Sequence, residues 1–179
     1  TLYRIDATGR MIDLGLVTDL PSPGAVSYIA GAFSPAGDNM LYVKSASTTN
    51  QMHRINVVTR QSTPITLSRA LTLADFDFRN GLLYGKETST GQLVSIDPQS
   101  GVVTNVGDTG ITSALNAFFA DSSGLYGLQS TGGFFELDPV TAHATRISDS
   151  DPSAGSDGAR CPLAAAQVFS SDLAITKTD

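Results

Sequence analysis

Few residues in this 179-residue sequence have the types and spacing for chemistry. The one acidic cluster is "DSDPSAGSDG", with Asp149, Asp151 and Asp157. Hard cations such as calcium take about six to eight oxygen ligands, and carboxylates two apart on a loop can supply some of them. Pro152 and the missing ligand at the next odd position break an EF-hand-like spacing. A solvated loop is the stronger reading, and the three aspartates are weak calcium candidates. Asp75 and Asp77, in "DFDF", alternate onto one strand face beside a turn and are weaker still. His53 and His143 are the only imidazoles, and neither has the H-x-x-x-H spacing of a metal site. With a lone cysteine, Cys161, they complete no zinc set and read as structural or solvent-exposed. There is no G-x-S-x-G elbow, P-loop or dinucleotide fingerprint. The expectation is no catalytic residue, no cofactor and no resident metal.

Composition narrows the partners. Charged residues make up 16% of the chain, against about 25% in an average soluble domain. Ser, Thr, Gly, Asn and Gln fill the gap, as in exported β-proteins. Eleven basic and seventeen acidic residues give a net charge of −6, and only Lys44, Lys86 and Lys177 are lysines. Nucleic acid and anionic membrane surfaces need a basic face, which this balance does not offer. No run approaches the roughly 18 apolar residues of a membrane span. No signal peptide is visible; the chain opens at Thr1 inside a strand-like pattern, which reads as a processed or excised piece of a longer protein. Cys161 can make no internal disulfide, but it can pair with a cysteine outside this chain.

The elements that would carry any site are repeats. "LYRIDATGRMIDLG" from Leu2, "MHRINVVTRQSTPI" from Met52, "LVSIDPQSGVVTNVG" from Leu93 and "FFELDPVTAHATRI" from Phe134 share an anchor pair. It recurs as Ile5-Asp6, Ile55-Asn56, Ile96-Asp97 and Leu137-Asp138, at separations of 50, 41 and 41. "NMLYVK", "GLLYGKE" and "GLYGLQ" set Tyr42, Tyr84 and Tyr126 at intervals of 42. "AGAFSP", "LADFDF" and "LNAFFA" put Phe33, Phe76 and Phe118 in register. Each unit reads as four short strands with turn signals about every ten residues, the pattern of a β-propeller blade. The extra residues of the first unit fall in a loop over 17–27. The tyrosines and phenylalanines read as packing between sheets. Asp6, Asp97 and Asp138 read as turn caps that accept local backbone N–H groups.

The expected fold is therefore all-β: a propeller of four recognisable four-stranded blades, the last incomplete, as part of a larger ring. The units are placed at about 1–50, 51–91, 92–132 and 133–169. The last has a plausible third strand over 163–169 and no fourth; that apolar, uncharged stretch needs a strand donor from outside the chain. Residues 170–179 depart from the repeat and read as a linker and a fresh β-strand.

The combination of "LYRIDATG", "LLYGKETSTGQLVSIDPQSGVVTNVG", "FFADSSGLYGLQSTGGFFELD" and "SDGARC" resembles the propeller-like domain of unknown function of large bacterial surface proteins. That domain commonly precedes conserved-repeat Ig-like modules of the domain of unknown function eleven type. The tail "SDLAITKTD" is similar to the first strand of such a module. The resemblance implies that about one blade precedes this sequence and that the partner of Cys161 lies in it. It carries no catalytic residues. The resulting expectation is a secreted, non-enzymatic structural or adhesive module of an extracellular bacterial surface protein or fibre. Its partners would be other domains of the same polypeptide or neighbouring subunits. A lectin-like propeller binding surface glycans through loops 17–27 and 109–113 is the alternative, and a propeller lyase or hydrolase comes third.

Overall fold

The computed structural model describes residues 1–21, 27–120, 123–153 and 155–159, and every element among them is a strand. Three four-stranded antiparallel sheets follow one another along the chain. The first holds β3 (Tyr28–Phe33), β4 (Met40–Ser45), β5 (Thr49–Asn56) and β6 (Gln61–Leu71). The second holds β7 (Asp77–Arg79), β8 (Leu82–Lys86), β9 (Gln92–Ile96) and β10 (Val103–Asp108). The third holds β11 (Leu115–Ala120), β12 (Leu125–Gln129), β13 (Phe134–Leu137) and β14 (Ala144–Ser148). Ahead of them β1 (Leu2–Ile5) and β2 (Met11–Gly15) form a two-stranded sheet.

The sheets bury their apolar faces against one another. Tyr42 and Met52 of the first sheet pack on Phe78, Leu83, Val94 and Ile96 of the second, with Tyr42 edge-on to Phe78 at 5.1 Å. Leu93 and Tyr84 on the far face of the second sheet meet Phe118, Leu125 and Leu137 of the third. The first strands β3, β7 and β11 lie beside one another, as do the outer strands β6 and β10. This is the radial packing of propeller blades, in which each blade leaves an apolar face for the next.

The phase of the blades differs from that of the sequence repeat. The anchor strand is the third of each sheet, not the first, so a unit such as 92–132 takes its strands from two neighbouring blades. The incomplete blade among the described residues is also the N-terminal one: β1–β2 corresponds to the third and fourth strands alone. Phe33 is a further correction. The tyrosines face Ala32, Asp77 and Phe119 across the first hairpins, so Gly31 is the counterpart of Phe118. Phe33 is 45% exposed, whereas Phe76 and Phe118 are 1% exposed. The loop after β3 is longer than its counterparts, which hid the offset. Residues 163–169, 170–179 and Cys161 lie outside the described residues.

The repeated turns behave as their residues dictate. The carboxylate of Asp97 accepts from Gln99 N–H (2.9 Å) and the Ser100 hydroxyl (2.6 Å). Asp138 accepts from Val140 N–H (2.7 Å), Asp6 from Thr8 N–H (2.9 Å), and Asn56 does the same with its amide oxygen for Val58 N–H (3.0 Å). These bonds hold the Asp6, Asp97 and Asp138 carboxyls below the usual carboxylate range. Asp97→Ala should lower the urea midpoint, because the turn loses both of these bonds. Urea unfolding measures it, and no change would show that the turn closes without its cap.

Candidate functional site

Two carboxylates are taken out of water at the joint between the second and third blades. Asp77 opens β7 and Asp75 precedes it by two, so both side chains leave the same face, towards β11. Asp75 accepts from Phe76 N–H with Oδ1 (2.8 Å) and from Phe118 N–H with Oδ2 (2.6 Å). Asp77 repeats the arrangement with Phe78 N–H (2.7 Å) and Ala120 N–H (2.7 Å). Alternate acids on one strand thus satisfy alternate N–H groups on the first strand of the next blade, which among the described residues has no ladder partner on that side. The Gly158 N–H also faces Asp75. A Cβ at Gly158 would lie 2.6 Å from Phe118 N and 2.8 Å from Asp75 Oδ2, so only glycine fits. Burial pushes the Asp75 carboxyl up to about 7, helped by the nearby Asp157 charge and opposed by its three backbone N–H partners.

A carboxyl group poised near 7 can serve as an acid or base only if it reaches a substrate atom. Asp75 is fully buried, and both oxygens are engaged by backbone. Its work here is to join two blades. Beside it opens a groove of about 420 Å³ lined by Tyr28, Ile29, Ala74, Asn116 and Asp157. Tyr28 stands edge-on to His53 at 5.8 Å, and His53 Nδ1 lies 3.0 Å from the Ser62 hydroxyl. Burial lowers the His53 pKa, which keeps this imidazole neutral at pH 7.

A second joint lies between the first and second blades. Arg69 on β6 donates two hydrogen bonds to Glu87, at 2.8 and 2.9 Å, and a third to the Asn105 side chain at 2.6 Å. Thr90 adds a hydroxyl donor to Glu87 at 3.0 Å. The Arg69 guanidinium holds the Glu87 carboxyl below its ordinary range. Planar two-point pairing of this kind fixes orientation as well as charge. Glu87→Gln should cost about 1–3 kcal/mol, since Arg69 keeps partial access to water. Urea midpoints test this, and a loss below about 0.5 kcal/mol would make the pair an ordinary surface one. Lys44 and Lys86 are buried at matching ends of β4 and β8. Their ammonium groups reach the carbonyls of Ser47 (3.2 Å) and Ser113 (3.0 Å), and burial lowers both pKa values.

The sequence candidates are not gathered. Asp149 is exposed and pairs with Arg146 at 2.7 Å, Asp151 is exposed, and Asp157 borders the groove beside Asp75. Among the described residues no three His, Cys, Asp or Glu side chains converge to hold a metal ion. His143 lines a separate cleft of about 580 Å³ with Arg79, Glu136 and Asp138, while His53 is in the core. Loop 109–113 borders a hollow of about 340 Å³ shared with Thr88, Ser89, Thr90 and Asp108; loop 17–27 is described only in part. Sequence reasoning missed the interblade roles of Asp75, Asp77 and Glu87 and the burial of the two lysines. The signal was present: Lys44 and Lys86 share the 42-residue interval of the tyrosines, and "DFDF" interleaves acids with core phenylalanines.

Residues 1–163 match the model of a family described as a repeat of unknown function, DUF6923. No curated protein matches the sequence. Among solved structures the fold is similar to hydrazine synthase of Kuenenia stuttgartiensis, with 13% identity and a TM-score of 0.55 over 77% of this chain and 41% of that one. It is also similar to a chain of the nidogen/laminin complex, with 12% identity and a TM-score of 0.55 over 70% and 49%. A structural genomics protein of unknown function from Bacteroides thetaiotaomicron gives 16% identity and a TM-score of 0.51 over 72% and 33%. The chain thus spans less than half the length of these relatives. At such identities the likeness is one of fold: a β-propeller.

Proposed function

The chain belongs to the DUF6923 family of repeats of unknown function, and we propose that it is a non-enzymatic structural or adhesive propeller module of a secreted bacterial surface protein. The observation that carries this reading is the use made of the chemistry-bearing side chains. Asp75 and Asp77 tie β7 to β11, Arg69 and Glu87 tie two blades, and Lys44 and Lys86 bind loop carbonyls. Groups that an enzyme would aim at a substrate instead hold neighbouring blades and loops rigid, which suits a spacer that bears load. The low-charge, hydroxyl-rich, acidic composition fits extracellular display. In this reading the module precedes Ig-like repeats in the same polypeptide, and its partners are those domains or neighbouring subunits.

A lectin-like role is the second reading. The hollow beside loop 109–113 favours it, because Thr88, Ser89, Thr90, Asp108 and Thr112 offer the hydroxyl and carboxylate groups that sugars bind. Beads coated with the protein and presented to bacterial cells, with a glycan array run alongside, separate the two. Cell adhesion or mechanical stiffness without glycan binding supports the structural reading. Saturable binding to one glycan class, lost in Asp108→Ala, replaces it with the lectin. Turnover of a polysaccharide by the purified chain would overturn both.

A further inference from the structure

The joint between the second and third blades differs from the one before it, and we propose that its hollow takes one neutral hexose ring, gripped by the Lys86 ammonium and the Asp108 carboxylate. The ligand class rests on the lectin-like reading given above; the site rests on a comparison of the two joints. Lys44 and Lys86 hold matching places in β4 and β8, and they are 0% and 4% exposed. They are not served alike. The Lys44 ammonium meets the Ser47 carbonyl at 3.2 Å and the Thr49 hydroxyl at 3.5 Å, both from its own turn. Where Thr49 stands five residues after Lys44, Gly91 stands five after Lys86. A Cβ at Gly91 would lie 3.9 Å from Lys86 Nζ, so the glycine leaves open the approach that Thr49 covers in the first blade. Among the described residues Lys86 donates to the Ser113 carbonyl alone (3.0 Å), although an ammonium carries three donors. A buried donor without an acceptor is costly, and an ionised one more so.

The closure over the ammonium differs too. At the first joint the Thr48 and Thr72 hydroxyls lie 2.6 Å apart and draw turn and loop together. Thr72 and Ala114 hold the same place, since their carbonyls accept from Thr88 N–H and Ser130 N–H. Ala114 has no hydroxyl to offer. Thr90, which follows Lys86 as Thr48 follows Lys44, turns its own hydroxyl to Glu87 at 3.0 Å. The second joint therefore stays open as the hollow of about 340 Å³ between turn 88–91 and loop 109–113. Asp108 stands on its rim; Oδ1 accepts from Gly110 N–H at 2.9 Å, which leaves Oδ2 for a ligand. One ammonium and one carboxylate cancel, so a charged sugar meets repulsion from one of them. Adjacent hydroxyls of a neutral ring can accept from Lys86 and donate to Asp108 together. Thr88 and Thr112 add hydroxyls to the walls, and the volume suits one ring better than a chain.

The test titrates the whole chain with free glucose, galactose and mannose, and with glucuronic acid and glucosamine, following backbone amide shifts by NMR. At least one neutral hexose should saturate, with its largest shifts in residues 86–92 and 108–114. Both charged sugars should bind at least tenfold more weakly. Lys86→Met should weaken the hexose at least tenfold, while Lys44→Met, the same change at the closed joint, should leave it unchanged. Asp108→Asn, at an exposed position, should weaken the hexose and turn the preference towards glucuronic acid, a reversal that loss of folding cannot give. Shifts centred elsewhere, a wild-type preference for charged sugars, or equal affinity in Lys86→Met would overturn the proposal and leave the lectin-like reading standing. No response to any of these sugars would overturn it as well, and a glycan array without hits would take the lectin-like reading with it.

Discussion

Between pH 4 and pH 7 the Asp75 carboxyl should make the protein less stable as the pH rises, by about 4 kcal/mol in all. The folded state holds this group protonated up to about 7, while the unfolded chain releases the proton near 3.8. Within that window the folded state binds more protons, so raising the pH favours unfolding. Above 7 both states are ionised and the effect is complete. The charge facing the group is that of Asp157, which disfavours ionisation. Glu87, Asp97 and Asp138 act with the opposite sign, because their depressed pKa values give stability that is lost as the pH falls below about 4. The measurement is therefore a difference: urea unfolding of wild type and Asp75→Asn at pH 4.5, 6 and 8. The amide sets an N–H against backbone donors and lowers the overall stability at every pH, but it should remove the slope. A wild-type slope that persists in Asp75→Asn would show that another group is responsible.

The architecture was legible because repetition leaves marks that survive divergence. Tyr42, Tyr84 and Tyr126 take equivalent places, and so do Ile55, Ile96 and Leu137. Phase was not legible. A four-strand repeat has the same period wherever the cut is made, and only burial of the third strand by a second decides it. Ile5 and Ile55 look alike in sequence, and the neighbours that distinguish them lie in other segments. The joints were hidden for a related reason. Asp75 and Phe118 are 43 residues apart, and Arg69 and Glu87 are 18 apart. A charged residue bound for a buried partner on another strand has no local signature that separates it from a solvated one.

The turns that the sequence repeats so faithfully are themselves joints, and Gly101→Ala should expose this with a large loss for a single methyl group. Gly101 closes the β9–β10 turn with φ +74°, and its N–H donates to the Asp97 carbonyl at 2.8 Å. Its own carbonyl accepts from Ser68 N–H of the preceding blade at 2.8 Å, while the Ser68 hydroxyl accepts from Val103 N–H at 2.9 Å. A Cβ at this position would overlap the Thr66 carbonyl oxygen on β6. The left-handed backbone costs about 1–2 kcal/mol with a side chain, and forced repacking of a tight contact adds about 1–3 kcal/mol. The next joint solves the same problem the other way round. There Ala142 carries the methyl at φ +66°, and Gly107 on β10 makes room for it. A Cβ at Gly107 would lie 3.2 Å from the Ala142 Cβ and 3.1 Å from the Thr141 carbonyl oxygen. Small residues are thus needed on one side of each contact, and which side varies. Gly9, left-handed at φ +81° with open space around it, supplies the control. Gly9→Ala should cost only the backbone share, about 1–2 kcal/mol, and Gly101→Ala about 3 kcal/mol or more. Equal losses in urea unfolding would mean that the turn closes its own hairpin and does not hold the neighbouring blade.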